Sequence, residues 1–291
     1  MSAILAIDLG GTNLRAAIAR PTRAAALEPV GRWAAPACLE DFVALIGTLV
    51  RQHQAARVGL AVPGLVAGAR CAWIPNLPWL DGADGSTLVP GTPVTIGNDA
   101  HMTLLGEASA GAARGASDAL LLAIGTGIGS AVLAGGRILR GAHGGATSFG
   151  WACADPDDPG DDRTGWLERQ AAGRALDGIA RDNDMADGGT LIARARAGDA
   201  AANALLDRPA AALGATLAGA VALTDPQIVI VAGGVAAGFD VIERRVAAAM
   251  RRQLPPHLHG IEIRPGLLGD TAALAGAAAA AAGSTLWETT A

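Results

Sequence analysis

Two stretches of this chain share one plan. Ile4-Leu5-Ala6-Ile7 is an apolar run that meets Asp8 and Leu9, then Gly10-Gly11-Thr12-Asn13, then the alternating Leu14, Ala16 and Ile18. Leu120-Leu121-Leu122-Ala123-Ile124 is a second apolar run, followed by Gly125-Thr126-Gly127-Ile128-Gly129 and a further run from Ser130 to Ala134. Each reads as a buried strand, a glycine–threonine turn and a returning strand. Glycine lets a backbone approach a ligand closely, and successive N–H groups in such a turn make a concave anion site. The plan occurs twice in 291 residues, which predicts an α/β chain of two related halves facing each other, each large enough for its own core.

The first turn is read as a phosphate grip, with Thr12 adding a hydroxyl and Asp8 placed to hold Mg²⁺ through water; an ordinary hairpin tip carrying Gly-Gly is the plainer alternative. It does not read G-x-G-x-x-G, nor does a helix follow, so a dinucleotide-binding turn is excluded. A Walker turn is excluded because the chain contains no lysine. All 22 basic residues are therefore arginine, and the net charge of −5 with no basic run argues against nucleic acid as a partner. Hydrophobic residues make up 51%, which excludes disorder. Cys38, Cys71 and Cys153 lie far apart and form neither a metal spacing nor a disulfide framework, so a cytoplasmic setting is expected. No signal peptide is evident. The uncharged stretch from Ala119 to Gly136 nears spanning length, but its glycines make it a strand–turn–strand rather than a membrane helix.

Along the chain, Arg20 to Arg23 is a loop. Phe42, Leu45, Ile46, Leu49 and Val50 make a helical stripe, and Val58 to Val62 is a strand stopped by Pro63-Gly64. The Pro- and Trp-rich run from Trp73 to Trp79 is either a surface excursion or a ligand-facing loop. Val94 to Ile96 is a strand ending at Gly97-Asn98-Asp99, ahead of a helix over Ala100–Ala110 containing Glu107. Asn98 and Asp99 suit a helix cap, and a carboxylate at that strand end also sits where open α/β sheets bind ligands. Gly111 to Gly115 marks a boundary. Asp155 to Asp162 is an acidic loop without calcium-loop spacing. A helix carrying Glu168 starts at Leu167, and Ala200 to Thr224 reads as one long helix. Ile228 to Val231 is a buried strand before Gly233-Gly234. Ile242 to Met250 is helical, Ile261 to Ile263 is a strand, and Thr271 to Ala282 is an alanine-rich helix.

Asp8-Leu9-Gly10-Gly11-Thr12-Asn13, Gly59 to Gly64, Asn98-Asp99, Gly125 to Gly129 and Gly233-Gly234-Val235, in that order, resemble the ROK family of sugar kinases and repressors. The resemblance spans nearly the whole chain and implies a two-lobed actin/hexokinase-like, ribonuclease H-like fold with an interlobe cleft. One lobe would be 1–112, completed by helix 271–286, and the other 113–270. It implies ATP-dependent phosphorylation of a hexose or hexose derivative. Asp8, Gly10, Gly11, Thr12 and Asn13, with Gly125, Thr126 and Gly127, would hold the phosphates of ATP and its Mg²⁺, while Gly233 and Gly234 would pass near the adenosine. Asp99 would be the general base. Asn98, Gly64, Glu168, Ser148 and Trp151 would join it in the sugar site. A homodimer is implied as well.

One departure matters. The family carries Gly-Glu-x-Gly-His and then a cysteine cluster for structural zinc. Here the run is Thr147-Ser148-Phe149-Gly150-Trp151, Trp166 stands for the final cysteine, and Cys153 alone cannot build a tetrahedral site. No structural zinc is expected; Trp151 and Trp166 are expected to pack together in its place. Ser148 and Trp151 also change the hydroxyl-binding groups, so an acceptor other than glucose, such as an N-acetylhexosamine, is an alternative. A non-catalytic sugar- or nucleotide-binding homologue is a second. A repressor would need a DNA-binding helical domain ahead of the first turn, where only seven residues precede Asp8.

Overall fold

The structure, a computed structural model, describes residues 3–20 and 26–287. Pro21, Thr22 and Arg23 of the expected loop lie outside the described residues. The chain divides into two compact units, one formed by Met1–Ser117, Gly135–Ala146 and Leu267–Ala291, the other by Asp118–Ala134 and Thr147–Gly266.

The first unit is built on a sheet with strand order β3-β2-β1-β4-β7, where β1 is Ala3–Leu9, β2 Asn13–Ala19, β3 Leu27–Ala34, β4 Ala55–Val62 and β7 Val94–Asn98. All seven residues of β1 are buried, as a run apolar on both faces requires. It pairs antiparallel with β2, Leu9 opposite Leu14, and parallel with β4, Ile7 opposite Leu60. Strand β4 runs parallel to β7, Val62 opposite Asn98. The C-terminal ends of β1, β4 and β7 therefore share one sheet edge. Helix α1 (Leu39–His53) buries Phe42, Ile46 and Leu49 in a core with Leu5, Ile7 and Leu60.

Helix α3 (Asp99–Ala110) leaves the end of β7, and α10 (Ala272–Ala281) lies across it. No side chains separate these helices at the crossing. A Cβ on Gly106 would fall on the Ala272 carbonyl, and one on Gly276 on the Met102 carbonyl. Gly59 of β4 meets the Ala277 carbonyl in the same way. The alanine-rich composition of α10 is what permits this approach. Ahead of the Pro- and Trp-rich run, β5 (Leu65–Ala67) and β6 (Arg70–Trp73) form a hairpin; the run itself is irregular up to a 3-10 turn over Pro78–Leu80, and α2 (Gly85–Leu88) follows. Trp79 anchors it on Phe42, ring centroids 5.6 Å apart, while Trp73 is exposed. The short strand β10 (Arg137–Ile138) is held by the Ile138 N–H donating to the Leu286 carbonyl at 2.9 Å.

The second unit repeats the arrangement. Strands β8 (Ala119–Ile124) and β9 (Ile128–Ala134) are antiparallel, and β11 (Ile228–Ala232) runs parallel to β8 and to β12 (Glu262–Pro265). Helices α4 (Trp166–Ala171), α5 (Gly173–Arg181), α6 (Gly188–Arg196), α7 (Ala200–Leu205), α8 (Asp207–Thr224) and α9 (Glu243–Arg252) pack a core with Leu122, Val229 and Val231. The single helix expected over Ala200–Thr224 is two, broken at Leu206. Pro209 is the cause: it lacks the N–H that a continuous helix would direct at the Leu205 carbonyl. No helix among the described residues is long and apolar enough to cross a membrane.

Candidate active site

Asp8, Gly10, Gly11, Thr12, Asn13, Gly64, Asn98 and Asp99 all fall in the first unit, at the ends of β1, β4 and β7. The Gly10 N–H donates to the Asn13 carbonyl at 2.8 Å, closing a tight turn between β1 and β2. Asn13 Nδ2 donates to Thr12 Oγ1 at 2.8 Å, and Arg32 Nε to Asn13 Oδ1 at 3.1 Å. Gly11 approaches Asn76 so closely that a Cβ would lie 3.2 Å from the asparagine's own. Asp8 is buried and its Oδ2 accepts from Arg15 Nη2 at 2.6 Å and Nε at 3.1 Å. Burial raises the Asp8 carboxyl above the usual range, with Arg15 opposing it.

Asn98 caps α3: its Oδ1 accepts from Ala100 N at 2.9 Å and His101 N at 3.2 Å, while Nδ2 donates to the Gly64 carbonyl at 2.9 Å. The cap reading is thus right for Asn98, and the same side chain ties the end of β4 to the start of the helix. Gly64 has φ +111°, and a Cβ there would lie 2.5 Å from the Trp73 carbonyl, which is why the turn needs glycine. Asp99 is the first residue of α3, and its Oδ1 accepts from Ala100 N at 2.8 Å. It keeps partial exposure, yet its carboxyl is pushed up to about 6, first by loss of solvent and then by the charge of Asp8. A carboxylate with this affinity for a proton, at a strand end, is equipped to act as a base near neutral pH.

Gly125, Thr126, Gly127, Ser148, Trp151, Glu168, Gly233 and Gly234 fall in the second unit. The Gly125 N–H donates to the Gly127 carbonyl at 2.9 Å, and the Gly125 carbonyl accepts from Gly173 N, at the start of α5, at 2.8 Å. Glu168 is brought to this turn: its Oε1 accepts from Ile128 N at 2.7 Å, and a Cβ on Gly127 would run into its carboxylate. Gly233, with φ +88°, abuts the Ile124 backbone, so the end of β11 stands beside the same turn. Ser148 precedes a 3-10 turn over Phe149–Trp151, in which Trp151 N donates to the Ser148 carbonyl at 3.0 Å.

The expected pairing of Trp151 with Trp166 is not formed. Trp151 is 43% exposed, whereas Trp166 is buried in the core at the first position of α4. The backbone of Trp151 lies directly on Gly165, the residue before Trp166. This segment is held instead by Ser130, whose buried hydroxyl donates to the Thr147 carbonyl at 2.5 Å and accepts from Phe149 N at 3.3 Å. Cys153 Sγ donates to the Asp155 carbonyl at 3.0 Å. Among the described residues no group of three or more His, Cys, Asp or Glu is placed to hold a metal ion.

Arg15 escaped the sequence reading, although the hairpin register contained it: a turn that sets Leu9 opposite Leu14 sets Asp8 opposite Arg15. His143 is an exposed loop residue.

Residues 4–283 match the ROK family. The chain is 28% identical to a glucokinase from Halalkalibacterium halodurans over 93% of its length and 92% of the relative's. It is 32% identical to an N-acetylmannosamine kinase from Shigella flexneri, covering 81% of the chain and 85% of that protein. A ROK family glucokinase from Streptomyces griseus, solved in complex with glucose and AMPPNP, superposes with a TM-score of 0.80 at 27% identity, covering 96% of this chain and 99% of that one. The fold is the α/β, actin/hexokinase-like one of these kinases. Two glycine turns, an aspartate at the start of a helix capped by Asn98, and this similarity lead to one assignment: the chain belongs to the ROK family.

Proposed function

We propose that the chain is an ATP-dependent kinase of a hexose or hexose derivative, with Asp99 as general base. The glucokinase and N-acetylmannosamine kinase relatives support sugar kinase activity. The observation that carries the base assignment is the Asp99 carboxyl, raised to about 6 at the start of α3 in the unit that holds the Gly10–Asn13 turn. Phosphoryl transfer needs positioning and charge neutralisation more than covalent help. In this proposal Asp99 accepts the proton of the attacking hydroxyl, and Asn98, Gly64, Glu168, Ser148 and Trp151 hold the sugar. Gly10, Gly11, Thr12, Asn13, Gly125, Thr126 and Gly127 hold phosphates through backbone N–H groups, with Gly233 and Gly234 near the adenosine. Mg²⁺ would be held by Asp8 through water, and when bound it neutralises phosphate charge. Asp8, a hard oxygen donor beside the turn, suits that ion. The corresponding proposal for context is a cytoplasmic homodimer.

An N-acetylhexosamine acceptor is the second reading, favoured by Ser148 and Trp151 and by the 32% identity to an N-acetylmannosamine kinase. A coupled assay of ADP release over hexoses, hexosamines and N-acetylhexosamines tests both. Phosphorylation of one class and loss of turnover in Asp99→Ala are expected. A wild-type protein inactive on the whole panel defeats the kinase reading and leaves a sugar- or nucleotide-binding homologue.

A further inference from the structure

His101 is buried, 3% exposed, two residues beyond the proposed base, and no step above uses it. Its Nε2 meets the carbonyl oxygen of Ala146. A carbonyl only accepts, so Nε2 carries the hydrogen. Burial lowers the affinity of the ring for a second proton, and the nearby Arg140 charge acts the same way.

The bond closes a circuit within the first unit. Asn98 Nδ2 holds the Gly64 carbonyl at 2.9 Å. Gly64 leads directly into Leu65 and Val66 of β5. Gly144, at φ +76°, lies against the Val66 carbonyl so closely that a Cβ would overlap it, and a Cβ on Gly145 would lie 3.1 Å from Leu65 Cδ1. The turn from Gly141 to Ala146 is closed by Ala146 N donating to the Arg140 carbonyl at 3.1 Å. From Ala146 the circuit returns to His101, whose own N–H donates to Asn98 Oδ1 at 3.2 Å. The start of α3, the Gly64 turn and the Gly141–Ala146 turn are thus locked to one another, and His101 is the side chain that completes the lock.

We propose that His101 is a positioning residue for the sugar: by tethering Gly141–Ala146 to α3 it fixes the Gly64 turn against the Asn98–Asp99 corner. The inference rests on the kinase reading above. It acts on the acceptor, not on ATP, because neither the Gly10–Asn13 turn nor Asp8 belongs to the circuit. A side chain held by one hydrogen bond contributes on the order of a tenfold factor in an equilibrium constant.

The test uses the full chain with the best acceptor found in the panel. His101→Ala is expected to raise the sugar KM about tenfold with kcat within about threefold of wild type and the KM for ATP unchanged. His101→Gln, whose amide can donate to Ala146, is expected to recover most of the loss. Gly144→Ala, which forces the same circuit open at another joint, is expected to give the same sugar-selective rise. A wild-type sugar KM in folded His101→Ala overturns the proposal. So does an equal rise in both KM values that His101→Gln does not relieve, the result of a merely structural role. Turnover surviving in Asp99→Ala sinks the base assignment alone, and a wild-type protein inactive on the panel sinks both.

Discussion

The position of the Asp99 carboxyl, about 6 against an ordinary 3.8, has a direct kinetic consequence. A base must be ionised to work, and the pH dependence of kcat/KM reports its ionisation in the free enzyme. A group titrating at about 6 is ionised in about one molecule in eleven at pH 5 and about ten in eleven at pH 7. The value of kcat/KM for the sugar is therefore expected to rise about tenfold over those two units. A carboxylate at 3.8 would give an almost flat profile. Folding does not confuse the measurement. A carboxyl raised in the folded state contributes stability that is complete below its unfolded pKa and lost as pH rises through the folded one. Protonating Asp99 at pH 5 therefore does not unfold the chain. The acids held low by hydrogen bonds, Asp158, Asp161, Asp187, Asp199 and Asp240, behave oppositely: their stability is present above the ordinary value and lost only as pH falls below it. Both windows leave pH 5–7 clear of acid unfolding, which circular dichroism will verify. Asp8 supplies the second test. Its charge raises Asp99, so Asp8→Asn is expected to move the acid limb to lower pH whatever it does to the plateau. Burial is the larger cause, so the limb stays above 3.8. The assay varies sugar at saturating ATP with magnesium in excess. A profile flat from pH 5 to 7, or an unmoved limb in Asp8→Asn, refutes the reasoning.

Asp99→Ala is expected to fold normally and lose about 10²–10⁴-fold in kcat, the range for a positioned base. Glu107 is fully buried and its carboxylate accepts from Ala112, Leu267 and Leu268 N–H groups at 2.7, 3.1 and 2.9 Å. Glu107→Ala strands these donors, and at about 1–3 kcal/mol for each buried group the thermal midpoint is expected to fall by several degrees at least. For Gly276→Ala the helix propensity gain of about 1 kcal/mol meets a backbone carbonyl that cannot move aside. Overpacking costs about 1–3 kcal/mol, so a lower melting temperature is expected, and a higher one would show that α3 and α10 can part. Chelator treatment of the nucleotide-free protein is expected to leave the melting temperature unchanged, and co-purified stoichiometric zinc would contradict this.

The glycine turns were legible because their residues are contiguous: apolar run, Gly and Thr, apolar run. The strand ends at Asp8, Gly64 and Asn98 were legible for the same reason, and so was the capping role of Asn98. What escaped depends on partners distant in sequence. His101 reads as an ordinary helical residue until Ala146 arrives beside it, and Glu107 until Leu267 does. The split of Ala200–Thr224 at Leu206 was in reach, since Pro209 stands in the sequence and cannot donate to the Leu205 carbonyl. The Trp151–Trp166 expectation failed because it matched residues by type, and residue type does not carry the burial that separates an exposed Trp151 from a buried Trp166.

The close crossing of α10 over α3 also orders events during synthesis. Helix α10 follows in sequence every residue of the second unit, yet it completes the core of the first. A chain emerging from the ribosome can therefore assemble its middle section while the opening sheet still exposes Gly59, and α3 still exposes Gly106, to solvent. Contacts of such wide sequence separation form slowly. The half that emerges first is the half that matures last, and agents that bind exposed sheet faces will find their target on a nascent chain and lose it once Ala272–Ala281 has docked.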